Sequence, residues 1–138
     1  IGLLHDLDYD QTKDDMPRHG LVTAEVLAQE GVSAEITEAI KAHNAENLGL
    51  TRAKPVDFAL TAAETITGLI VATTLVYPDK KIDSVKAKSV RKRMKEPRFA
   101  ANVNRDHIGL AEHLGLTLDE FIDLSLTAMK SIGPQLGL

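Results

Sequence analysis

Apolar residues recur at helical spacing through most of the chain, and the polar intervals between them are short. Leu3, Leu4 and Leu7 share that spacing at the start, which predicts the closing turns of a helix over 1–7, anchored in the core by the three leucines. A polar interval over 8–17 ends in Pro17 and leads into a second helix from Arg18, burying Leu21, Val22, Val26 and Leu27 and stopping at Gly31. Ser33 suits an N-cap and predicts a third helix up to His43, with Ile36, Ile40 and His43 along one stripe. The interval 44–54 reads as loop. Pro55 then suits the first turn of a long fourth helix that runs to Tyr77 and ends before Pro78.

Further on, the apolar pattern thins. The stretch DKKIDSVKAKSVRKRMKEP, 79–97, offers only Ile82, Val85, Val90 and Met94, so a solvated helix from Ser84 is expected. Another helix over 104–113 closes at Gly115, and T-L-D-E over 117–120 has the form of a capping box. It opens a last helix carrying Phe121, Ile122, Leu124, Leu126 and Met129. No strand pattern, repeat or low-complexity tract interrupts the series. The expected fold is all-α, a single-domain helical bundle over 1–138 with about six to seven helices.

Composition narrows the function classes. At 138 residues the chain can bury an independent core, and 43% apolar residues with few aromatics and no Trp suit a helical one. A net charge of −4 gives no general attraction to phosphate backbones, which disfavours nucleic acid as a partner. The absence of cysteine removes disulfides, thiolate metal sites and Cys nucleophiles, so any metal must use His and carboxylates. The apolar segment 58–77 approaches membrane-span length, yet it carries Glu64 and the threonines Thr61, Thr65, Thr67, Thr73 and Thr74, which favours a buried core helix and no membrane. The basic residues Lys80, Lys81, Lys86, Lys88, Arg91, Lys92, Arg93, Lys95 and Arg98 could meet RNA, an anionic surface or an acidic protein. Without interleaved aromatics they read first as a solvated face. The chain opens on Ile1 with no signal-peptide pattern, as expected of a cytoplasmic protein and of an internal stretch of a longer product.

Candidate chemistry starts at His5 and Asp6. Adjacent helical residues point about 100° apart, so the two cannot share a stripe, but both can reach a cleft beside the helix end. Imidazole nitrogen and carboxylate oxygen suit Zn, Fe or Mn, and a carboxylate can bridge two ions where an imidazole cannot, which makes Asp6 the bridging candidate. His19 and His43 fall where helices could bring them to the same cleft; either one alone carries little weight, and the combination carries the case. Asp8 could hydrogen-bond a ligand His or a metal water, or lie exposed in a loop.

The order His-Asp in GLLHDLDYD, then His19-Gly20, then His43, then the carboxylate of AAETITGLIVA, resembles the HD-domain superfamily of metal-dependent phosphohydrolases. More narrowly it looks like the small HD-domain hydrolases that carry a GLLHD-(I/L)-DY segment, and the likeness extends over 1–9, 18–20, 62–72 and 99–138. The resemblance implies an HD-like fold, His5 and Asp6 as metal ligands, His19 and His43 as ligands of a second ion, and Glu64 at a closing carboxylate position where the family carries Asp. It also implies a further His ligand on a preceding helix, which this chain begins too late to contain. One or two divalent ions are the implied cofactor, with Mn, Fe, Zn, Co or Ni all compatible with the donors.

The implied activity is hydrolysis of a small phosphoester or nucleotide by metal-activated water, which needs no Ser or Cys nucleophile. The alternative is a non-catalytic HD-like module that binds a nucleotide or partner. Arg18, Lys41 and Lys54 are the cations nearest in sequence to ligand positions, and Asp6, Arg18 and Lys41 are the candidate catalytic groups. A homo-oligomer is compatible with this reading. Arg105 matches a recurrent Arg in the tail of the family.

Overall fold

Every regular element the chain forms is helical, as expected, and the computed structural model describes residues 1–138 throughout. The α-helices are α1 (Tyr9–Thr12), α2 (Leu21–Gln29), α3 (Ala34–His43), α4 (Ala45–Leu48), α5 (Pro55–Leu75), α6 (Ala87–Met94), α7 (Arg105–Gly109), α8 (Leu118–Ser131) and α9 (Gly133–Leu136). Short 3₁₀ turns occupy Met16–Arg18, Ile82–Ser84 and Leu110–Leu114. More helices form than the apolar period foretold because α1, α4 and α9 are four residues long, too short to show a period, while the helix expected over 104–113 forms as α7 and the 3₁₀ turn after it, closed by Gly115. The chain divides into two units, Ile1–Thr61 and Ala62–Leu138, with the boundary inside α5.

In the first unit α2 packs on α3, with Leu27, Ile40 and Leu60 at the core and Val32 and Ile36 beside them. The third predicted helix forms as expected, with Ser33 extended at its N-cap. The second starts later than Arg18, because Pro17 favours a 3₁₀ turn and Gly20 then takes a left-handed φ of 84°. His19 is therefore extended, ahead of the helix. The inward face of α2 is Thr23, Ala24 and Leu27, while Leu21 and Val26, expected in the core, are exposed. A polar contact sets this rotation: Thr23 N–H donates to Asp8 Oδ2 at 2.9 Å, and Thr23 Oγ1 accepts from Asp8 N–H at 3.0 Å. The interval expected to be loop contains α4, closed by Gly49 in the left-handed region.

Residues 1–7 form no α-helix, contrary to the leucine spacing. Leu4 N–H donates to Ile1 O, Leu7 N–H to Leu4 O, and Tyr9 N–H to Asp6 O, so the segment winds in three-residue turns. A three-residue period groups Gly2, His5 and Asp8 on one face. Asp8 is 2% exposed and His5 half-buried, whereas Gly2 is exposed, Leu3 is 95% exposed and Ile1, Leu4 and Leu7 are exposed as well. The expected leucine anchor is replaced by a polar one.

The second unit is built on the rest of α5, α6 and α8, whose core includes Ile66, Leu69, Ile70, Val90, Ile122 and Leu126. By length and composition α5 could cross a membrane, yet half of its most apolar window is buried. Its threonines are accommodated by bonding back along the helix: Thr73 Oγ1 donates to Leu69 O at 2.7 Å and Thr74 Oγ1 to Ile70 O at 2.9 Å. The predicted capping box forms, with Thr117 Oγ1 accepting from Glu120 N–H and Glu120 Oε2 accepting from Thr117 N–H. Leu124, expected in the core, is exposed, whereas Phe121, Ile122 and Met129 of α8 are buried. The basic stretch forms a 3₁₀ turn and then α6, starting at Ala87 rather than Ser84. Arg91 bridges to Asp119 at 2.6 Å and Asp123 at 2.8 Å, tying α6 to α8, and Arg93 pairs with Glu96 at 2.5 Å. Lys80, Lys81, Lys86, Lys88, Lys92, Lys95 and Arg98 are exposed.

Candidate metal centre

Three imidazoles surround one carboxylate oxygen in the first unit. Asp6 Oδ1 lies 3.4 Å from His5 Nε2, 3.2 Å from His19 Nε2 and 3.5 Å from His43 Nε2. His19 Nε2 and His43 Nε2 are themselves 2.9 Å apart, and the ligand atoms of His5, Asp6 and His43 all lie within 4.8 Å of one another. The rings meet edge to face, with His43 centred 5.1 Å from His5 and 4.8 Å from His19.

Each ring is oriented by its other nitrogen. His5 Nδ1 donates to Gly2 O at 2.7 Å, His43 Nδ1 to Ile40 O, and His19 Nδ1 to Asp8 Oδ1 at 2.8 Å. Carbonyl and carboxylate oxygens only accept, so these bonds assign the proton to Nδ1 in every ring and leave a lone pair at each Nε2 when the ring is neutral. Neutral His19 and His43 thus turn lone pairs toward each other across 2.9 Å. A cation relieves that repulsion. Ligand atoms about 2.0–2.1 Å from one ion are about 2.9–3.4 Å apart for angles between octahedral and tetrahedral. The four separations of 2.9, 3.2, 3.4 and 3.5 Å lie in or near that range. The donor chemistry of His5, Asp6 and His43, whose ligand atoms lie within 4.8 Å of one another, suits a divalent ion.

The backbone around the cluster is held by groups that spacing did not single out. Asn44, immediately after α3, donates from Nδ2 to Met16 O at 2.7 Å and His19 O at 3.0 Å, which ties the His19 segment to the end of α3 beside His43. Arg52 donates to His43 O at 2.9 Å while paired with Glu46 at 2.6 Å. Gly20 lets α2 approach α3: a Cβ there would stand 3.2 Å from Ile40 O and 3.4 Å from His43 Cε1. The only sequence signal for these roles is an Asn directly after the histidine that ends a helix, and a Gly directly after one that precedes a helix.

Electrostatics favour ionised carboxylates. The hydrogen bond that a protonated His43 offers holds the Asp6 carboxyl below its ordinary value, against partial desolvation and with help from His5, His43 and His19 charge. Burial works against ionisation of Asp8, but the Thr23 N–H, the His19 ring and the Gly20 N–H outweigh it and bring its carboxyl down as well.

The cluster thus unites His5, Asp6, His19 and His43, and Asp8 pairs with the His19 ring from outside it. Lys41 is paired with Glu38 at 2.6 Å and points about 200° around α3 from His43. Arg18 is well exposed, 3.9 Å from Asp15. Lys54 offers its backbone N–H to Asp57 Oδ2 at 2.9 Å. Glu64 belongs to the second unit, where its carboxylate accepts from Thr65 Oγ1 at 2.7 Å. No protein-family model, curated protein or solved structure matches this chain.

Proposed function

We propose that the histidine–aspartate cluster binds a divalent metal ion and that the protein is a metal-dependent phosphohydrolase acting on a small phosphoester or nucleotide. The observation that carries this reading is the set of three Nε2 atoms arranged around Asp6 Oδ1, each freed by an Nδ1 bond to an acceptor. The resemblance of GLLHDLDYD, His19-Gly20, His43 and AAETITGLIVA to HD-domain phosphohydrolases supports the same reaction class.

His5, Asp6, His19 and His43 would hold the ion. Such an ion supplies Lewis acidity, lowering the pKa of a water toward neutrality and offsetting negative charge on phosphoryl oxygens. The protein's own groups decide access and orientation. The His19 and His43 side chains are 4% and 6% exposed, whereas Asp6 is 51% exposed, so solvent and substrate reach the cluster on its Asp6 side. Asp6, with its side chain half exposed, can accept a proton from an attacking water at its carboxylate.

Elemental analysis of the purified protein, with cobalt(II) and manganese(II) titrations, tests the metal. A panel of phosphomonoesters and nucleotides tests the reaction, with Asp6→Asn and His43→Ala as controls. Stoichiometric metal and turnover lost in both variants are expected. Failure of the wild-type protein to bind either ion would overturn the reading; binding without turnover on any phosphoester would instead assign a ligand-binding role.

A further inference from the structure

We infer that Asp8 is a positioning residue of the metal centre, holding the His19 imidazole in the tautomer whose Nε2 lone pair faces Asp6 and His43. Its purpose rests on the metal reading above; its geometry does not. Asp8 is 2% exposed, and each of its carboxylate oxygens has a separate set of partners. Oδ2 accepts from Gly20 N–H at 2.9 Å and Thr23 N–H at 2.9 Å. Gly20 occupies the N-cap of α2 and has no side chain to cap with, so Asp8 supplies the cap from a distant turn. Oδ1 faces His19 Nδ1 at 2.8 Å.

Thr12 Oγ1 completes the enclosure. It donates to Asp8 O at 2.8 Å, stands 3.4 Å from Asp8 Oδ1, and lies 3.2 Å from His19 Nδ1. With its own proton directed to Asp8 O, Thr12 can only accept from the ring. Both oxygens near Nδ1 therefore require a proton there. A carboxylate that orients a ligand histidine in this way fixes the ring and raises its basicity.

The same geometry predicts what an isosteric change does. In Asp8→Asn the amide oxygen takes the Oδ2 position, because placing NH₂ there would oppose two N–H donors. The NH₂ then replaces Oδ1 and can only donate, so His19 Nδ1 becomes an acceptor. The ring proton moves to Nε2, into the space where a metal would bind. A residue that merely caps α2 would keep its function as Asn and leave the tautomer unchanged.

Long-range ¹H–¹⁵N correlation spectra of the metal-free protein at about pH 9, above the ordinary imidazole range, read the tautomer directly. The wild type is expected to show His19 protonated at Nδ1 and Asp8→Asn to show it protonated at Nε2, with cobalt(II) affinity lower by roughly 10–100-fold. A wild-type His19 protonated at Nε2 would overturn the inference, and this holds even if the variant does not fold. A flipped ring with unaltered cobalt affinity would overturn it too. A wild type with the expected tautomer and no cobalt affinity would sink the metal reading and leave the Asp8 lock standing.

Discussion

Replacing Gly20 by Ala should disturb the histidine–aspartate cluster through backbone strain and a steric wedge against His43. Gly20 has φ 84°, a region that costs an L-residue roughly 1–2 kcal/mol. The added Cβ would also stand 3.2 Å from Ile40 O, 3.4 Å from His43 Cε1 and 3.7 Å from His43 Nδ1. Those atoms form the bond that orients His43, so the methyl group would wedge against it, and relief requires a shift of a few tenths of an ångström. Overpacking of this kind adds about 1–2 kcal/mol, giving a total of about 2–4 kcal/mol. Gly31 is the matched control, with φ 80° and nothing within 4 Å of the place a methyl group would take. Gly31→Ala should lose only the conformational share, about 1–2 kcal/mol. Urea denaturation of the two variants measures the difference. Metal titration measures the functional half: a site held to about 0.5 Å should lose roughly tenfold in cobalt(II) affinity in Gly20→Ala and nothing in Gly31→Ala. Equal destabilisation by the two substitutions, with equal metal affinity, would refute the proposed wedge against His43.

Arg105 should prove structural rather than catalytic. Its guanidinium donates to Ala100 O at 2.7 Å, Val103 O at 2.6 Å and Phe99 O, holding a turn in which Ala100 takes φ 44°. Arg105→Lys keeps the charge but cannot span that fork of carbonyls, and a loss of about 2–4 kcal/mol in urea denaturation is expected; a loss below about 0.5 kcal/mol would contradict the role. In the capping box, the Thr117 side chain and backbone N–H hold the Glu120 carboxyl below its ordinary value. Because its folded pKa is the lower one, the stabilisation of α8 is complete above the unfolded carboxyl range and fades as pH falls through the folded pKa. An NMR titration of Glu120 should therefore move upward in Thr117→Ala, and an unchanged titration would rule out the capping contact.

Much of the helical scaffold was legible because its signals are local. Ser33 opening α3, Pro55 opening α5, and the T-L-D-E box opening α8 each depend on groups within one turn of the chain. The faces those helices bury were less legible. Leu21, Val26 and Leu124 are apolar and at helical spacing, yet exposed, because a face is selected by what packs against it rather than by its own composition. The start of the chain shows the limit most plainly, since the leucines of GLLHDLDYD suggested an inward face, whereas the turns there bury Asp8 and partly bury His5 instead.

By itself, then, the sequence determined an all-helical chain without thiol chemistry and supplied five candidate ligands: His5, Asp6, His19, His43 and Glu64. Tertiary structure decided that the first four meet while Glu64 bonds Thr65, which Nε2 atoms face Asp6, and that Asp8 works from behind His19. The physical reason is range. Caps and helical periods are fixed by neighbours a few residues apart, whereas the tautomer of His19 depends on a carboxylate eleven positions away, brought into contact only when Gly20 and Thr23 hand their N–H groups to the same side chain.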